Sequence, residues 1–328
     1  MSTPLYSLSI NTRMILDMHS LNNEGGEGNQ IQTRMVNVVD QNGELQNVNA
    51  ISGDMFKHIQ SEHLFHIARE HPELPLCSGC REFNANRINA DGEFLGQGAD
   101  LSDAALIDEL LAHCVIDDIE GILITEGGRS VPRKSVIEFG WVVGVPGSVE
   151  TDSYFHVKYA TERSSGKRSE DREATERSGS NLGQAIFHRP ASSGIYAAVC
   201  HLELSRIGFN DITQTYAIDR KQRALRARAL LQSVMYTFME PKGAMRSAQT
   251  PHLVDVTGVV TLSTGPVPAP TVSPLNDDYH QHIRRVQTAL ERIAPETVFV
   301  YDFDSLGKFA DILCDLMEST TPYELRYS

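Results

Sequence analysis

The chain has 328 residues, of which 41% are hydrophobic, an ordinary composition for a soluble globular protein with one large domain or two domains. It has no apolar run of membrane-spanning length and no signal-peptide pattern, so we expect a cytoplasmic protein with no membrane partner. The net charge of −14 disfavours a nucleic-acid binder, but a basic groove can lie on an acidic body. The five cysteines, odd in number and mostly isolated, indicate a reducing compartment.

A partly polar strand and a glycine-rich loop open the chain. The alternation over residues 5–18 predicts a strand whose polar side, ending in Arg13, faces water or a ligand. Residues 21–34 follow as a loop with three glycines that ends at Arg34. This loop could cradle phosphates, although its glycines match no P-loop or dinucleotide spacing. An Asn-Gly turn signal at residues 42–43 then predicts a hairpin.

The first predicted helix begins at Ser52, a good N-cap residue, and one side of it is largely apolar at helical spacing up to His71. The helix start at Ser52 and Gly53 offers unpaired backbone N–H groups, which bind anions, phosphate above all. Lys57 and His58 lie just beside the apolar side, near this end. The alternative is an ordinary capped helix that faces a core.

A candidate metal site follows the helix. Cys77 and Cys80 have zinc-knuckle spacing, and His66 and His71 lie just upstream. No cofactor is required, but a structural zinc held by the two cysteines and one or two histidines could tie the insertion over residues 72–118 to the helix. The alternative is a reduced thiol pair in a turn, and no other cofactor is expected.

Basic residues gather in a turn of the middle region. Short strands are predicted over residues 119–125 and 136–143, and the basic turn between them suits phosphate contacts. Residues 161–193 are rich in Ser, Gly, Arg and Glu, the composition of a long loop, and carry a small apolar island with Ile186 and Phe187. The residues of the basic turn that we expect to contact nucleic acid are Arg129, Arg133 and Lys134.

The last third of the chain continues with a strand, a helix and a strand. A buried strand over residues 194–204 precedes a helix capped by Asp219, and another strand is predicted over residues 254–262. Between the helix and the last strand lies a glycine-bearing turn with Lys242 and Arg246. A Pro-rich linker and an acidic helical segment close the chain.

The element order predicts an α+β fold, a modified ferredoxin-like or RNA-recognition (RRM-like) sheet with one open face that carries Arg13. The cationic groups at element ends favour nucleic-acid binding. No motif places a nucleophile. The adjacent acids Asp117 and Asp118 could bind Mg²⁺, but exposed or capping acids are far commoner, so we expect no enzyme activity. Two alternatives stay open. One is a zinc-dependent hydrolase or nuclease using the Cys77/Cys80/His cluster, and the other is a protein scaffold that needs no RNA.

Three stretches of the sequence resemble one protein family. LSINTRM and NAISGDMFKH flank the glycine-rich loop, GILITEGGRSVPRKSVIEFGWVVG lies in the middle, and FMEPKGAMRSAQTPHLVDVTGVV follows later. Together they resemble the DevR-type CRISPR-associated proteins, particularly type I-B members, which form the backbone subunit of Cascade in the RAMP superfamily. The resemblance covers most of residues 5–262.

The resemblance implies a hand-shaped subunit that binds crRNA, oligomerises along it with copies of itself, and meets target DNA through the guide and other Cascade subunits, in antiviral defence or for a transposon. The RRM-like palm would comprise residues 1–71 and 119–270, with a finger over 72–118, a thumb over 161–193 and an acidic helical C-terminal segment over 271–328. The implied RNA contacts are Arg13, Asn29, Arg34, Ser52, Gly53, Lys57, His58, Lys242 and Arg246, with Ile186 and Phe187 as the thumb tip.

Overall fold

The computed structural model describes residues 2–27, 30–125, 128–159, 184–243 and 249–326, and for residues 23–24, 27, 156–159 and 184–187 it describes the backbone alone. We number strands and helices separately in chain order. The strands are β1 (Thr3–Leu5), β2 (Ser7–His19), β3 (Asn23–Glu27), β4 (Gln30–Thr33), β5 (Met35–Val39), β6 (Leu45–Ile51), β7 (Ile122–Ile124), β8 (Val131–Arg133), β9 (Ile137–Phe139), β10 (Val142–Tyr159), β11 (Gln184–Leu202), β12 (Phe209–Asn210), β13 (Thr215–Tyr216), β14 (His252–Ser263), β15 (Val298–Phe303) and β16 (Thr320–Pro322). The helices are α1 (Gly53–Glu70), α2 (Ser78–Arg81), α3 (Gly92–Gly98), α4 (Asp103–His113), α5 (Val115–Glu120), α6 (Arg220–Met239), α7 (Tyr279–Glu291) and α8 (Leu306–Ser319).

A largely antiparallel sheet organises the fold. Its main path runs β15-β14-β2-β11-β10-β6-β5. Strand β2 lies at its centre and pairs antiparallel with both neighbours, so that Ile10 has Val260 on one side and Cys200 on the other. The predicted α+β class is therefore confirmed.

Helices α1 and α6 cover one face of this sheet. The residues of β2 that point to this face include Ile10 and Met14, which are buried in the same apolar cluster as Phe56 of α1 and Leu230 of α6. This cluster is the main core, and burying side chains of this size stabilises the fold by about 1.5–3 kcal/mol each. No helix in the described part of the chain is long and apolar enough to cross a bilayer.

Short-range hydrogen bonds set the starts of both helices. The Ser52 Oγ accepts a hydrogen bond from the Met55 N–H at 3.1 Å, and the Asp219 Oδ1 accepts one from the Gln222 N–H at 2.7 Å. Caps of this kind contribute about 1 kcal/mol each, since they satisfy N–H groups that have no partner within the helix. Both predicted helix starts are confirmed.

The chain that follows β14 covers the other face of the sheet. Ser9 and Asn11 of β2 are fully buried there. The Ser9 Oγ donates to the Ala269 carbonyl oxygen at 3.4 Å, and the Asn11 Oδ1 accepts from the Val272 N–H at 3.2 Å. The expectation that this polar side of β2 faces water or a ligand is therefore wrong, because the polar side chains bind the backbone of the same chain.

The C-terminal segment also extends the sheet. It contains the helices α7 and α8, in line with the helical segment expected there. Between them lies β15, which pairs antiparallel with β14, with Val300 opposite Thr261, and after α8 the strand β16 pairs parallel with β1. The segment is thus part of the sheet as well as helical, which the sequence pattern does not indicate.

The insertion over residues 72–118 is helical. It contains α2, α3 and α4, and its apolar side chains, such as Leu76 and Phe94, join the main core. The strand expected over residues 119–125 is shorter than predicted, because α5 occupies its first positions and β7 begins at Ile122.

The loop expected over residues 161–193 is also shorter at its end. Residues 184–193 belong to β11, which pairs antiparallel with β10 in this region, Arg189 opposite Tyr154. Residues 160–183 lie outside the described residues.

Candidate nucleic-acid interface

Asn22 joins the start of α1 to both ends of the glycine-rich segment. Its Oδ1 accepts a hydrogen bond from the Ser52 N–H at 2.8 Å. Its carbonyl oxygen accepts hydrogen bonds from the Arg34 N–H at 3.3 Å and from the Thr33 Oγ1 at 3.2 Å. Asn22 itself is buried, so these bonds are shielded from water. Two segments to which the sequence assigned phosphate contacts, the start of α1 and the glycine-rich segment, therefore meet at one point.

The turn after α6 reaches the same place. A Cβ atom at Gly243 would lie 2.6 Å from the Leu21 Cα, which shows how closely this turn packs beside Asn22. Lys242 precedes this glycine and is half-buried, and its Nζ lies 3.3 Å from a carboxylate oxygen of Glu240. The structure thus brings the Lys242 turn to the segments that meet at Asn22.

The start of α1 is only partly open to an outside anion. A Cβ atom at Gly53 would lie 2.3 Å from the Phe139 carbonyl oxygen, so this position requires glycine. The backbone that approaches Gly53 so closely belongs to β9 of the same chain. Because the Ser52 N–H also has a partner in Asn22, the anion site here is smaller than the sequence indicated.

Trp141 adds an exposed aromatic ring beside Arg34. It is the single tryptophan of the chain, it lies between β9 and β10, and 43% of it is exposed. The Arg34 guanidinium carbon lies 5.6 Å from the centre of the Trp141 ring, within cation–π range. Exposed rings and guanidinium planes are surfaces on which unpaired bases stack. The sequence pattern predicts a strand at Trp141 and therefore does not identify it as a site residue. The one local feature that could have done so is Gly140, which interrupts that strand just before the ring.

Lys57 and His58 line a pocket of about 400 Å³ beside α1. The Lys57 Nζ donates to the Ser135 Oγ at 2.7 Å, and burial lowers the pKa of Lys57 below its usual value. His58 is exposed, and its ring centre lies 5.6 Å from that of Phe83. Arg87 also lines the pocket, so three basic side chains converge there.

Glu120 is the buried acid of this pocket. Both oxygens of its carboxylate are inaccessible to water. Burial raises the pKa of Glu120 to about 7, and attraction to Lys57 offsets only part of this effect. Near neutral pH the charge of the pocket therefore depends on whether Glu120 is protonated.

Arg13 and Arg129, both predicted to contact RNA, already bind carboxylates. The Arg13 Nη2 lies 2.6 Å from the Asp277 Oδ1, and its Nε donates to the Pro274 carbonyl oxygen at 2.8 Å. The Arg129 Nη2 lies 2.6 Å from the Asp103 Oδ1. The expectation of an open sheet face at Arg13 is wrong, because the C-terminal segment covers that face.

Arg133 is not available to RNA. Only 1% of its side chain is exposed, and its Nη2 lies 2.7 Å from the Asp118 Oδ1. Its Nη1 donates to the Phe209 carbonyl oxygen at 2.9 Å. The predicted RNA contact of Arg133 is therefore wrong. Lys134, the next residue, is exposed and precedes Ser135, the partner of Lys57.

Four predicted contacts cannot be placed as side chains. Asn29 and Arg246 lie outside the described residues. The backbone of Ile186 and Phe187 belongs to β11, and their side chains lie outside the described part of the chain.

The two cysteines predicted as metal ligands lie together, but the two histidines lie elsewhere. His66 and His71 are exposed, and the His66 Nε2 lies 3.8 Å from a carboxylate oxygen of Glu62. The prediction of histidine ligands is therefore wrong. The donor group found within the described ranges consists of Cys77, Cys80, Cys114 and Asp117.

Comparisons with known proteins give one family and several similar folds. A family model described as CRISPR-associated negative auto-regulator DevR/Csa2 matches residues 10–284. The chain is similar to a solved chain titled "CRISPR RNA-guided surveillance complex, pre-nicking", at 12% identity and a TM-score of 0.47, over 98% of this chain and 96% of that one. It is also similar to the crystal structure of Thermofilum pendens Csc2, at 11% identity and a TM-score of 0.41, over 97% and 87% of the two chains. No curated protein matches.

Proposed function

Because the chain belongs to the DevR/Csa2 family of CRISPR-associated proteins, we propose that it is a crRNA-binding backbone subunit of a type I Cascade. In this role, copies of the subunit line up along the guide RNA beside other Cascade subunits. Target DNA is met only through the guide. The subunit works in the cytoplasm and carries out no catalysis.

The observation that supports this function best is the meeting of the α1 start, the glycine-rich segment and the Lys242 turn at Asn22. Backbone N–H groups and cations at element ends are the groups that position phosphates. Such contacts carry no sequence information, which suits a subunit that has to bind guides of any sequence. They also reconcile RNA binding with a net charge of −14, since a polyanion responds to the local charge distribution.

We expect Arg34→Glu to weaken the binding of guide RNA about tenfold, and equally for guides of unrelated sequence. The change removes a phosphate contact and puts a negative charge in its place. It should also make the slope of log affinity against log salt concentration shallower by about one unit, which is the contribution of one phosphate contact. Fluorescence anisotropy with labelled guides at several salt concentrations measures both effects.

Arg285→Glu is the matched control for this variant. It makes the same change of charge at an exposed position of α7, on the face of the sheet opposite α1. Equal losses of affinity in the two variants would indicate an effect of bulk charge rather than a contact at Arg34.

Gel filtration of the wild type tests the proposed function itself. We expect the protein to elute as RNA-bound oligomers. Monomers that are free of RNA and do not bind added guide RNA would contradict the proposed function.

Trp141 provides a second test without any label. As the single tryptophan, it reports its own environment, and we expect its fluorescence to be quenched when guide RNA binds. Trp141→Ala should weaken binding by about 1–3 kcal/mol, the usual contribution of one base stacked on an aromatic ring. Trp141→Phe keeps a flat ring and should retain most of the affinity. Unchanged fluorescence at saturating RNA would place the bases elsewhere.

A further inference from the structure

Three cysteines and an aspartate form a buried cluster beside the Lys57 pocket. The Sγ atoms of the three cysteines and a carboxylate oxygen of the aspartate all lie within 4.8 Å of one another. The four residues are at most 1% exposed. They are Cys77, Cys80, Cys114 and Asp117.

Two short chain segments supply the four donors. Cys77 is the N-cap residue of α2 and Cys80 lies within this helix, and the Cys80 N–H donates to the Cys77 Sγ at 3.3 Å. Cys114 is the residue between α4 and α5, and Asp117 follows three positions later in α5. Residues three positions apart lie on the same side of a helical turn, so both point at the cysteine pair.

Asp117 is unusual for a core that holds no cation. Its Oδ2 accepts from the Cys77 thiol at 3.4 Å and from the Cys80 thiol at 3.7 Å. Its Oδ1 is buried and has no hydrogen-bond partner among the described residues. A buried carboxylate oxygen without a hydrogen bond is costly, because burial removes its hydration. A cation held among the four donors would compensate this loss.

Arg87 supports the cluster from outside in two ways. Its Nη1 lies 3.8 Å from the Asp117 Oδ1 and opposes the negative charge of the donor set. Its carbonyl oxygen would lie 2.1 Å from a Cβ atom at Gly79, so the turn between the two cysteines requires glycine. The backbone around Arg87 thus holds this turn against the cluster.

We propose that Cys77, Cys80, Cys114 and Asp117 bind a zinc ion with a structural role. Zinc takes thiolate sulfur and carboxylate oxygen in tetrahedral sites, with Zn–S distances of about 2.3 Å that put ligand sulfurs about 3.8 Å apart. The donor atoms here lie within 4.8 Å of one another, so they need to approach one another by only about 1 Å to bind the ion. The ion joins α2 to the junction of α4 and α5, and so fastens the insertion to the core.

The site is structural rather than hydrolytic. Four protein donors fill a tetrahedral shell, whereas a catalytic zinc keeps one position open for water or substrate. The four donor residues are also at most 1% exposed, although Cys80 borders the Lys57 pocket. A nuclease that uses these cysteines is therefore disfavoured by the arrangement of its own ligands.

Metal analysis of the purified protein tests this site directly. We expect about one zinc per chain by plasma mass spectrometry. Chelation should lower the midpoint of thermal unfolding, and added zinc should restore it. Exchange for Co²⁺ should produce the near-ultraviolet thiolate-to-cobalt band and the visible bands of tetrahedral coordination. None of these readouts depends on RNA, so the site and the proposed function fail separately.

Variants identify the ligands. Asp117→Asn keeps the size of the side chain and should weaken zinc binding at least tenfold, since even groups that only touch a metal ligand contribute about 10–100-fold. Cys114→Ser should weaken the thiolate-to-cobalt band. Cys314→Ser is the matched control, because this thiol is exposed and lies outside the cluster, and it should change neither zinc content nor spectrum.

Two results would overturn the proposal. One is a folded wild-type protein that stays metal-free after refolding with excess zinc and whose unfolding temperature ignores chelators. The other is a disulfide between Cys77 and Cys80 in protein isolated without air, which would make the pair a redox couple instead.

Discussion

Asp118→Ala is expected to lower the free energy of unfolding by about 3–5 kcal/mol, the usual cost of breaking a buried ion pair from one side. The Asp118 Oδ1 lies 2.7 Å from the Arg133 Nη2, and its Oδ2 lies 2.7 Å from the Arg226 Nη1. All three side chains are at most 1% exposed. The variant leaves two buried guanidinium groups without their carboxylate, and water does not reach them to replace it.

Urea unfolding followed by circular dichroism measures this loss as a shift of the midpoint. Asp211→Ala is the matched control, because this carboxylate lies 3.6 Å from Arg133 but is 40% exposed. An exposed ion pair contributes about 1 kcal/mol or less, so this variant should remain close to the wild type. Similar losses in both variants would show that burial does not determine the cost of removing Asp118.

This network explains why Arg133 does not have the role that its sequence context indicates. A run of basic residues in a turn is typical of a phosphate-binding loop. The partner of Arg133 is Asp118, 15 positions before it in the chain. Arg226 binds the same carboxylate and lies 108 positions after Asp118. A sequence shows where the cations are, but the carboxylates that face them follow from the tertiary fold.

The features that the sequence predicted correctly depend on short-range interactions. The Ser52 cap needs a bond to an N–H three positions away, and the hairpin needs Gly43 at a positive φ of 82°. The burial of Asn11 depends instead on a long-range contact, because its partner Val272 lies 261 positions away in the chain. No local pattern distinguishes a polar strand face that binds RNA from one that binds the C-terminal chain.

Helix α5, only six residues long, also shows that a local sequence pattern does not reveal tertiary contacts. In the sequence its three acids resemble an ordinary group of solvent-exposed charges. In the structure Asp117 joins the cysteine cluster, Asp118 joins two buried arginines, and Glu120 lines the Lys57 pocket. Only the elements packed around each acid separate these roles, and Cys114 likewise becomes a candidate ligand through its neighbours.

Glu120→Gln is expected to stabilise the protein by about 3 kcal/mol near pH 8 and to have little effect below about pH 4.5. Burial raises the pKa of Glu120 from 4.5 to about 7 in the native state. Between these values the unfolded chain has released the proton and the native protein still holds it. Wild-type stability is therefore full below about pH 4.5 and falls as the pH rises through about 7. Glutamine cannot ionise, so the variant should not show this fall.

Urea unfolding at a series of pH values gives the free energy of unfolding as a function of pH for the wild type and for Glu120→Gln. Glu138→Gln makes the same chemical change on an exposed side chain and controls for the loss of one negative charge. We expect the Glu138→Gln curve to follow the wild type through the neutral range. Parallel curves for Glu120→Gln and the wild type would mean that Glu120 is not held protonated by burial.

The same substitution tests whether the Lys57 pocket faces RNA. Above about pH 7 the ionised Glu120 reduces the positive potential around Lys57 and Arg87, and the variant removes this charge. If phosphate lies at the pocket, Glu120→Gln should bind guide RNA more tightly than the wild type near pH 8 and equally near pH 5, where both side chains are neutral. Adding Lys57→Glu should abolish the gain. A gain that persists near pH 5 would not come from the charge of Glu120. No gain at either pH would mean that the RNA does not reach the Lys57 pocket and lies only at the segments that meet at Asn22.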